Sequence, residues 1–264
     1  VGTRRIKKKS PYSFVINLAI AAFAVGFIAS LLLGSVERDP VTLCRLDNDV
    51  PRETALLLDE TVGYSQPQAS AITRHLDSLL TNSLADERFT FYSLGSDENS
   101  YYLRFSFCNP GDGSDQGELT ADQRQLYNGW KEILTERLGI YVNALIEKEA
   151  ADSSPIVDMV QYVANQIRFT PGDVQKRLIL VSSLIHHTPS YSHERDSTNF
   201  NAFLGTRSSE DALANLEDVE VEIVLIQRPQ LLAIQNRGHI EAFWRPFVNQ
   251  SGGAIVATER IMLE

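Results

Sequence analysis

The feature that most restricts this chain is the run from Phe14 to Gly34, FVINLAIAAFAVGFIASLLLG, which has 21 residues and no charge. A helix rises ~1.5 Å per residue, so about 20 such residues cross the ~30 Å hydrocarbon core of a bilayer. The spacing predicts one transmembrane helix over 14–34. Ahead of it stand Arg4, Arg5, Lys7, Lys8 and Lys9, with no acid among residues 1–13; behind it the first basic residues are Arg38 and Arg45. Basic residues are retained on the cytoplasmic side of a span. Residues 1–13 are therefore expected to be a cytoplasmic tail, with everything after the helix outside. A cleavable signal peptide has a shorter apolar core, about 7–15 residues, and a small-x-small cleavage site. The stretch GSVERDP after Leu33 matches that site poorly, so the anchor is expected to be retained. Within the run, Ala22, Gly26 and Ser30 recur every four residues. They put small side chains on one stripe, where another membrane helix could approach closely.

Residues 35–52, with Pro40 and Pro51, read as a polar linker, and 53–264 as one domain. The whole chain carries a net charge of −10, a poor basis for binding a phosphate backbone; no nucleic-acid partner is expected. Apolar runs at Thr54–Leu58, Arg177–Ser182 and Val219–Ile226 read as buried strands, and aromatic-rich strands are expected at Phe89–Leu94 and Tyr101–Phe107. Helical spacing covers Pro67–Leu84, Leu126–Ala150, Pro155–Phe169, Glu210–Leu216 and Gly238–Asn249, and Ala254–Thr258 closes the chain as a strand. The stripe of the second helix is Trp130, Ile133, Leu134, Leu138, Tyr141, Val142, Leu145 and Ile146. Strands alternating with helices, with solid apolar runs in the middle, predict an α/β fold. Its doubly wound, mostly parallel six-stranded sheet would be covered on both faces.

In such sheets the functional edge lies at the carboxyl ends of the strands. One apolar strand runs into LLLDETVGYS (56–65), another into LILVSSLIHH (178–187). An apolar strand entering Asp59-x-Thr61 and then a helix resembles the first metal-ligand motif of the von Willebrand factor A family, which usually reads Asp-x-Ser-x-Ser. The family's second motif, a hydroxyl residue in a loop between helices, is matched by Ser153 or Ser154. The order of elements over 53–258 also resembles that family. The resemblance implies an antiparallel third strand at the sheet edge and a metal-ion-dependent adhesion site at the strand ends. The departures are Gly63 at the second serine position, with Ser65 two residues later, and Ser183 where the third motif has an aspartate. A divalent cation such as Mg²⁺ takes several oxygen ligands, usually with carboxylate charge. A degenerate site is therefore expected, with no resident cofactor and at most weak Mg²⁺ binding. The competing role for Asp59 is to cap the next helix.

Histidines 186, 187 and 193 follow the second apolar strand, close to where Asp59 is expected. Together with a carboxylate they could form a zinc site, although their spacing matches no zinc signature. No nucleophile elbow, phosphate loop, HExxH or nucleotide-binding glycine pattern occurs, and the chain is not expected to be an enzyme. Phe243, Trp244 and Phe247 are expected to pack in the core. The strand order implied by the resemblance brings Cys44 and Cys108, the two cysteines, to the same end of the sheet, where an oxidising compartment would bridge them. The reading is an interaction module: a single-pass protein of a bacterial inner membrane whose periplasmic domain binds other proteins of an envelope complex, itself possible as an oligomer. Alternatives are a Mg²⁺-dependent adhesion or receptor domain and, less favoured, a zinc hydrolase.

Overall fold

Six strands build one sheet, and its central pair explains the two solid apolar runs. The computed structural model describes residues 36–95, 101–112, 121–146, 148–168, 174–206 and 209–262. The basic cluster, the apolar run 14–34 and its Ala22, Gly26 and Ser30 stripe lie outside the described residues. Among the described residues, no helix is long and apolar enough to cross a membrane.

A compact unit spans Asp39–Glu264. Its elements are β1 (Arg52–Asp59), α1 (Gln66–Thr81), β2 (Arg88–Leu94) and β3 (Tyr101–Cys108). They are followed by α2 (Ala121–Asn143), α3 (Ile156–Arg168) and β4 (Gln175–Ser182). Then come α4 (Phe200–Leu204), α5 (Ser209–Ala212) and β5 (Val219–Ile226). A last helical passage joins α6 (Arg237–His239), a π-helical stretch at Ile240–Trp244 and α7 (Arg245–Gln250), and β6 (Ala254–Ile261) ends the sheet. The strand order is β3-β2-β1-β4-β5-β6. All neighbouring pairs are parallel except β2 with β3. The expected doubly wound sheet with one antiparallel edge strand is therefore present.

Alternation along the strands divides the core in two. Ala55 and Leu57 of β1, Leu178 and Leu180 of β4, and Val221, Ile223 and Leu225 of β5 pack on one face with α3, Phe200, Phe203 and Phe247. Leu56, Leu58, Ile179, Val181, Val224 and Ile226 pack on the other with α1 and α2. Both faces of β1 and β4 are covered, so these strands show no polar alternation. Phe243, Trp244 and Phe247 are buried as expected. Pro246 lies in the first turn of α7. It has no N–H for a helical bond, and the ladder slips to Arg245 N–H donating to Ile240 O, a π turn next to a proline.

The structure differs from the periodicity at helix ends. The second helix runs 121–143 rather than 126–150, because the chain turns at Ala144 and Leu145 to bridge Tyr64 to Ile146. Ile133, expected in its buried stripe, is 49 % exposed. The short helix α4 was not anticipated; five residues capped by Asn199 carry too little periodicity to be seen.

At the amino ends of the strands, Cys44 and Cys108 form a disulfide, with Cα atoms 4.7 Å apart. Beside it, Cys108 N–H donates to Thr42 O at 2.9 Å. The segment after Asp39 is thereby tied to the end of β3, and the bridge lies where the strand order implies.

Candidate functional site

The site forms where β1, β4 and β5 end. Asp59 is the last residue of β1 and Ser182 the last of β4, and Leu58 pairs with Val181 in parallel register. Period-two alternation then sends Asp59 and Ser182 to the same face as neighbours. Asp59 is 0 % exposed and its carboxylate is held by three donors. Oδ1 accepts from Thr61 N at 2.9 Å and from Thr61 Oγ1 at 2.5 Å, and Oδ2 accepts from Ser182 Oγ at 2.7 Å. Burying a carboxylate without such donors would be costly. The Thr61 contact is a local side-chain-to-backbone turn. Asp59 does not cap α1. Ser65 does: its Oγ accepts from Gln68 N at 3.3 Å, and Gln68 Oε1 accepts from Ser65 N at 3.1 Å, a capping box.

The loop between α2 and α3 supplies the next hydroxyl. Ala151 N donates to Thr61 O at 2.7 Å, and Ser154 exchanges backbone bonds with His187 at 2.6 and 2.9 Å. These bonds place Ser154 Oγ 2.8 Å from Thr61 Oγ1. Ser153 points elsewhere, donating to His187 O at 3.1 Å. Of the two serines, Ser154 is therefore the one at the site.

Ser182 takes the place beside Asp59 that the sequence reading gave to Ser183. Its hydroxyl donates to Asp59 and accepts from Leu184 N at 2.9 Å. Leu184 adopts a left-handed backbone with φ 62°, and its carbonyl accepts from Trp244 Nε1 at 3.0 Å. Such a conformation costs about 1–2 kcal/mol in a residue other than glycine; the Ser182 and Trp244 bonds hold it. Ser183 lines the cleft above, and its carbonyl accepts from Gln235 Nε2 at 2.7 Å.

Gly63 has a direct structural reason. A Cβ there would lie 2.1 Å from Lys148 O and 2.6 Å from Lys148 N, so a serine at that position would collide with backbone.

Arg228, two residues beyond β5, was not singled out from the sequence. Its Nη1 donates to Gly63 O, and its guanidinium carbon sits 5.6 Å from the centroid of the Tyr64 ring. Tyr64 OH in turn donates to Asp59 O. Burial lowers the Arg228 pKa from its ordinary value, opposed by attraction to Tyr64 and Asp59. A signal was available: β1, β4 and β5 are adjacent, so the residues that leave their carboxyl ends converge. Thr61, Gly63, Lys148, Ser154, Ser183 and Arg228 line part of a cleft of about 650 Å³.

The histidines do not converge on Asp59. His186 and His193 are buried. His193 Nδ1 lies 3.1 Å from Nε2 of His239, and the His193 ring packs 4.2 Å from that of Phe243. His187 Nδ1 pairs instead with Ser192 Oγ at 2.8 Å. Among the described residues no group of three or more His, Cys, Asp or Glu side chains is arranged to hold a metal ion. Burial holds His193 down to about 2 and His239 down to about 4. At neutral pH both are uncharged members of an aromatic core cluster. For a hard cation, the strand ends offer the Asp59 carboxylate, already accepting three hydrogen bonds, and the hydroxyls of Thr61, Ser154 and Ser182, while Asp152 and Glu194 line the cleft beyond them.

Fold and site define a doubly wound α/β domain with a hydroxyl-rich strand-end site. Among solved structures, the chain resembles the conserved hypothetical protein BatB from Bacteroides thetaiotaomicron, at 13% identity and TM-score 0.41, over 81% of this chain and 91% of that one. It also resembles a von Willebrand factor type A protein from Catenulispora acidiphila, at 10% identity and TM-score 0.40, over 81% of this chain and 39% of that one. A third likeness is to the pilus adhesin SpaC from Lactobacillus rhamnosus GG, at 11% identity and TM-score 0.42, covering 81% and 28%. No family model matches the chain, and no curated protein does.

Proposed function

We propose that this chain is a membrane-anchored protein-interaction module without enzymatic activity, and that the strand-end face around Thr61, Ser154 and Ser183 is its contact surface. The observation that carries the reading is the closed network at Asp59. Its carboxylate oxygens are taken by Thr61 and Ser182, which leaves a shaped, hydroxyl-lined cleft above a satisfied floor. A general base would need an open carboxylate within reach of a substrate proton; Asp59 is enclosed. A hard cation draws on several oxygen ligands, usually with carboxylate charge, so we infer that the site works without a resident metal. The uncharged run 14–34 and the one-sided basic cluster support a single-pass protein with its N-terminus in the cytoplasm and its domain in the periplasm, on a bacterial inner membrane. There it would act as one component of an envelope complex.

Purification of the full chain in mild detergent after chemical crosslinking, followed by mass spectrometry, tests this role. Defined partner proteins are expected, and their yield should fall when Ala151→Arg blocks the cleft. Recovery of the chain alone, or unchanged recovery from the blocked variant, would contradict it.

A further inference from the structure

We propose that the strand-end cleft receives a single carboxylate from an Asp or Glu side chain of the partner, bound directly by the guanidinium of Arg228. The inference deepens the interaction role proposed above and rests on it. Three observations carry it. First, Arg228 is held from several sides: Nη1 donates to Gly63 O, the guanidinium stacks over Tyr64, and its backbone N donates to Gln235 Oε1 at 2.7 Å. Gln235 also donates to Ile226 O at 2.9 Å and to Ser183 O at 2.7 Å, fixing the exit of β5 against that of β4. Second, Nε and Nη2 are buried and have no hydrogen-bond partner among the described residues. Those two nitrogens form one edge of the planar fork, and two parallel N–H groups match the two oxygens of a carboxylate. A guanidinium edge withdrawn from water without an acceptor is costly, so an incoming oxyanion meets donors already placed and already stripped of water. Third, Ser183 and Lys148 also line the cleft and bring a hydroxyl and an ammonium, whereas Thr61 gives both of its donors to Asp59.

The cleft thus carries a fixed organic cation beside the residues at which the resemblance implies a metal. Asp152 and Glu194 also line the cleft; they oppose any carboxylate and oppose a run of acids more strongly, so the site suits at most one. The turn Pro229–Leu231 has no side-chain cap, and its Gln230 and Leu231 line the cleft. Because Nε and Nη2 are buried, the proposed ligand reaches them only when the cleft wall opens locally.

The test uses the ¹⁵N-labelled full chain in mild detergent, with the Arg228 Nε–H resonance identified by its loss in Arg228→Lys. Three small probes are titrated: doubly capped Ala-Glu-Ala, doubly capped Ala-Gln-Ala, and N-capped Ala-Ala-Ala with a free C-terminus. The expected result is a saturable shift of that resonance with the Glu peptide only, and, followed on the backbone amides of Ala151 and Ser183 that line the cleft in both proteins, affinity lowered roughly tenfold in Arg228→Lys, the size expected for losing one charged hydrogen bond. Equal shifts with Glu and Gln peptides, a response to the free C-terminus alone, or no movement because an internal water occupies the edge would each overturn the proposal. The peptide comparison needs no variant and stands even if Arg228→Lys fails to fold. Partner crosslinking that persists while the Glu and Gln peptides behave alike would remove the carboxylate inference and leave the interaction role intact.

Discussion

Ser182 Oγ donates to Asp59 Oδ2 at 2.7 Å, joining residues 123 positions apart at the ends of two neighbouring parallel strands. The bond links the two halves of the sheet at the candidate site. Ser182→Ala removes one donor from a fully buried carboxylate and the acceptor for Leu184 N. Leaving such a group unsatisfied costs about 1–3 kcal/mol. Chemical denaturation should show that loss with an unchanged slope; a loss below a few tenths of a kcal/mol would mean that the bond is not structural.

The same pair predicts the metal response. Millimolar Mg²⁺ should leave the melting temperature of the wild-type chain unchanged. Ser182→Asp sets a second carboxylate against Asp59, and like charges at that range disfavour ionisation of both. That variant should melt lower without metal and recover with Mg²⁺. Calorimetric binding to wild type at micromolar metal, abolished by Asp59→Ala, would contradict this prediction.

Gly63→Ala tests the close approach to Lys148. The added Cβ meets backbone atoms at 2.1 and 2.6 Å, and overpacking of this kind costs about 1–3 kcal/mol. Thermal unfolding should reveal it, with the Arg228 anchor on Gly63 O disturbed at the same time.

How far the sequence reveals this domain depends on where the information sits. The central strands are legible because Leu56–Leu58 and Leu178–Val181 are buried on both sides and leave solid apolar runs. Asp59 and Thr61 are legible because their contact is local. Ser182 and Arg228 are not, because their roles arise from sheet register across long stretches of chain. Ser183 attracts attention by position in a motif, whereas strand alternation turns Ser182 toward Asp59. Ile133 shares the helical stripe of Trp130 and Leu134, yet it stays exposed at the mouth of an apolar pocket shared with Leu43 and Phe107.

The disulfide connects residues 64 apart. In the chain-entropy account, closing a loop of that size contributes about 4 kcal/mol, a large share of the ~5–15 kcal/mol that stabilises a typical domain. Reductant should lower the melting temperature, and Cys44→Ser should do so without reductant. Equal melting with and without reductant would show that the bridge adds nothing.

Acid should destabilise the fold through the histidine cluster. His193 and His239 have folded pKa values of about 2 and about 4, below the ~6.5 of an unfolded histidine. Below pH ~6.5 the unfolded chain binds more protons, and each group then costs up to about 1.4 kcal/mol per pH unit. Their stabilisation is present above pH ~6.5 and is lost as pH falls toward the folded values. His75 opposes this. Its hydrogen bond to Glu222 and the nearby Glu259 raise its pKa, so its contribution is full below ~6.5 and fades as pH rises through the raised value. Melting temperature should drop between pH 7.5 and 5, and more steeply in His75→Gln. A flat profile would contradict the assignment.

The central claim is that the strand-end face is the contact surface, and site-specific photocrosslinking in intact cells tests it most directly. A photoreactive residue is placed at Val62 or Ala151 beside the cleft, or at Asn48 or Asp49 at the opposite end of the sheet. The account predicts discrete protein adducts from Val62 and Ala151, reduced by Arg228→Lys, and none from Asn48 or Asp49. Adducts from the opposite end alone, or equally from both ends, would contradict it.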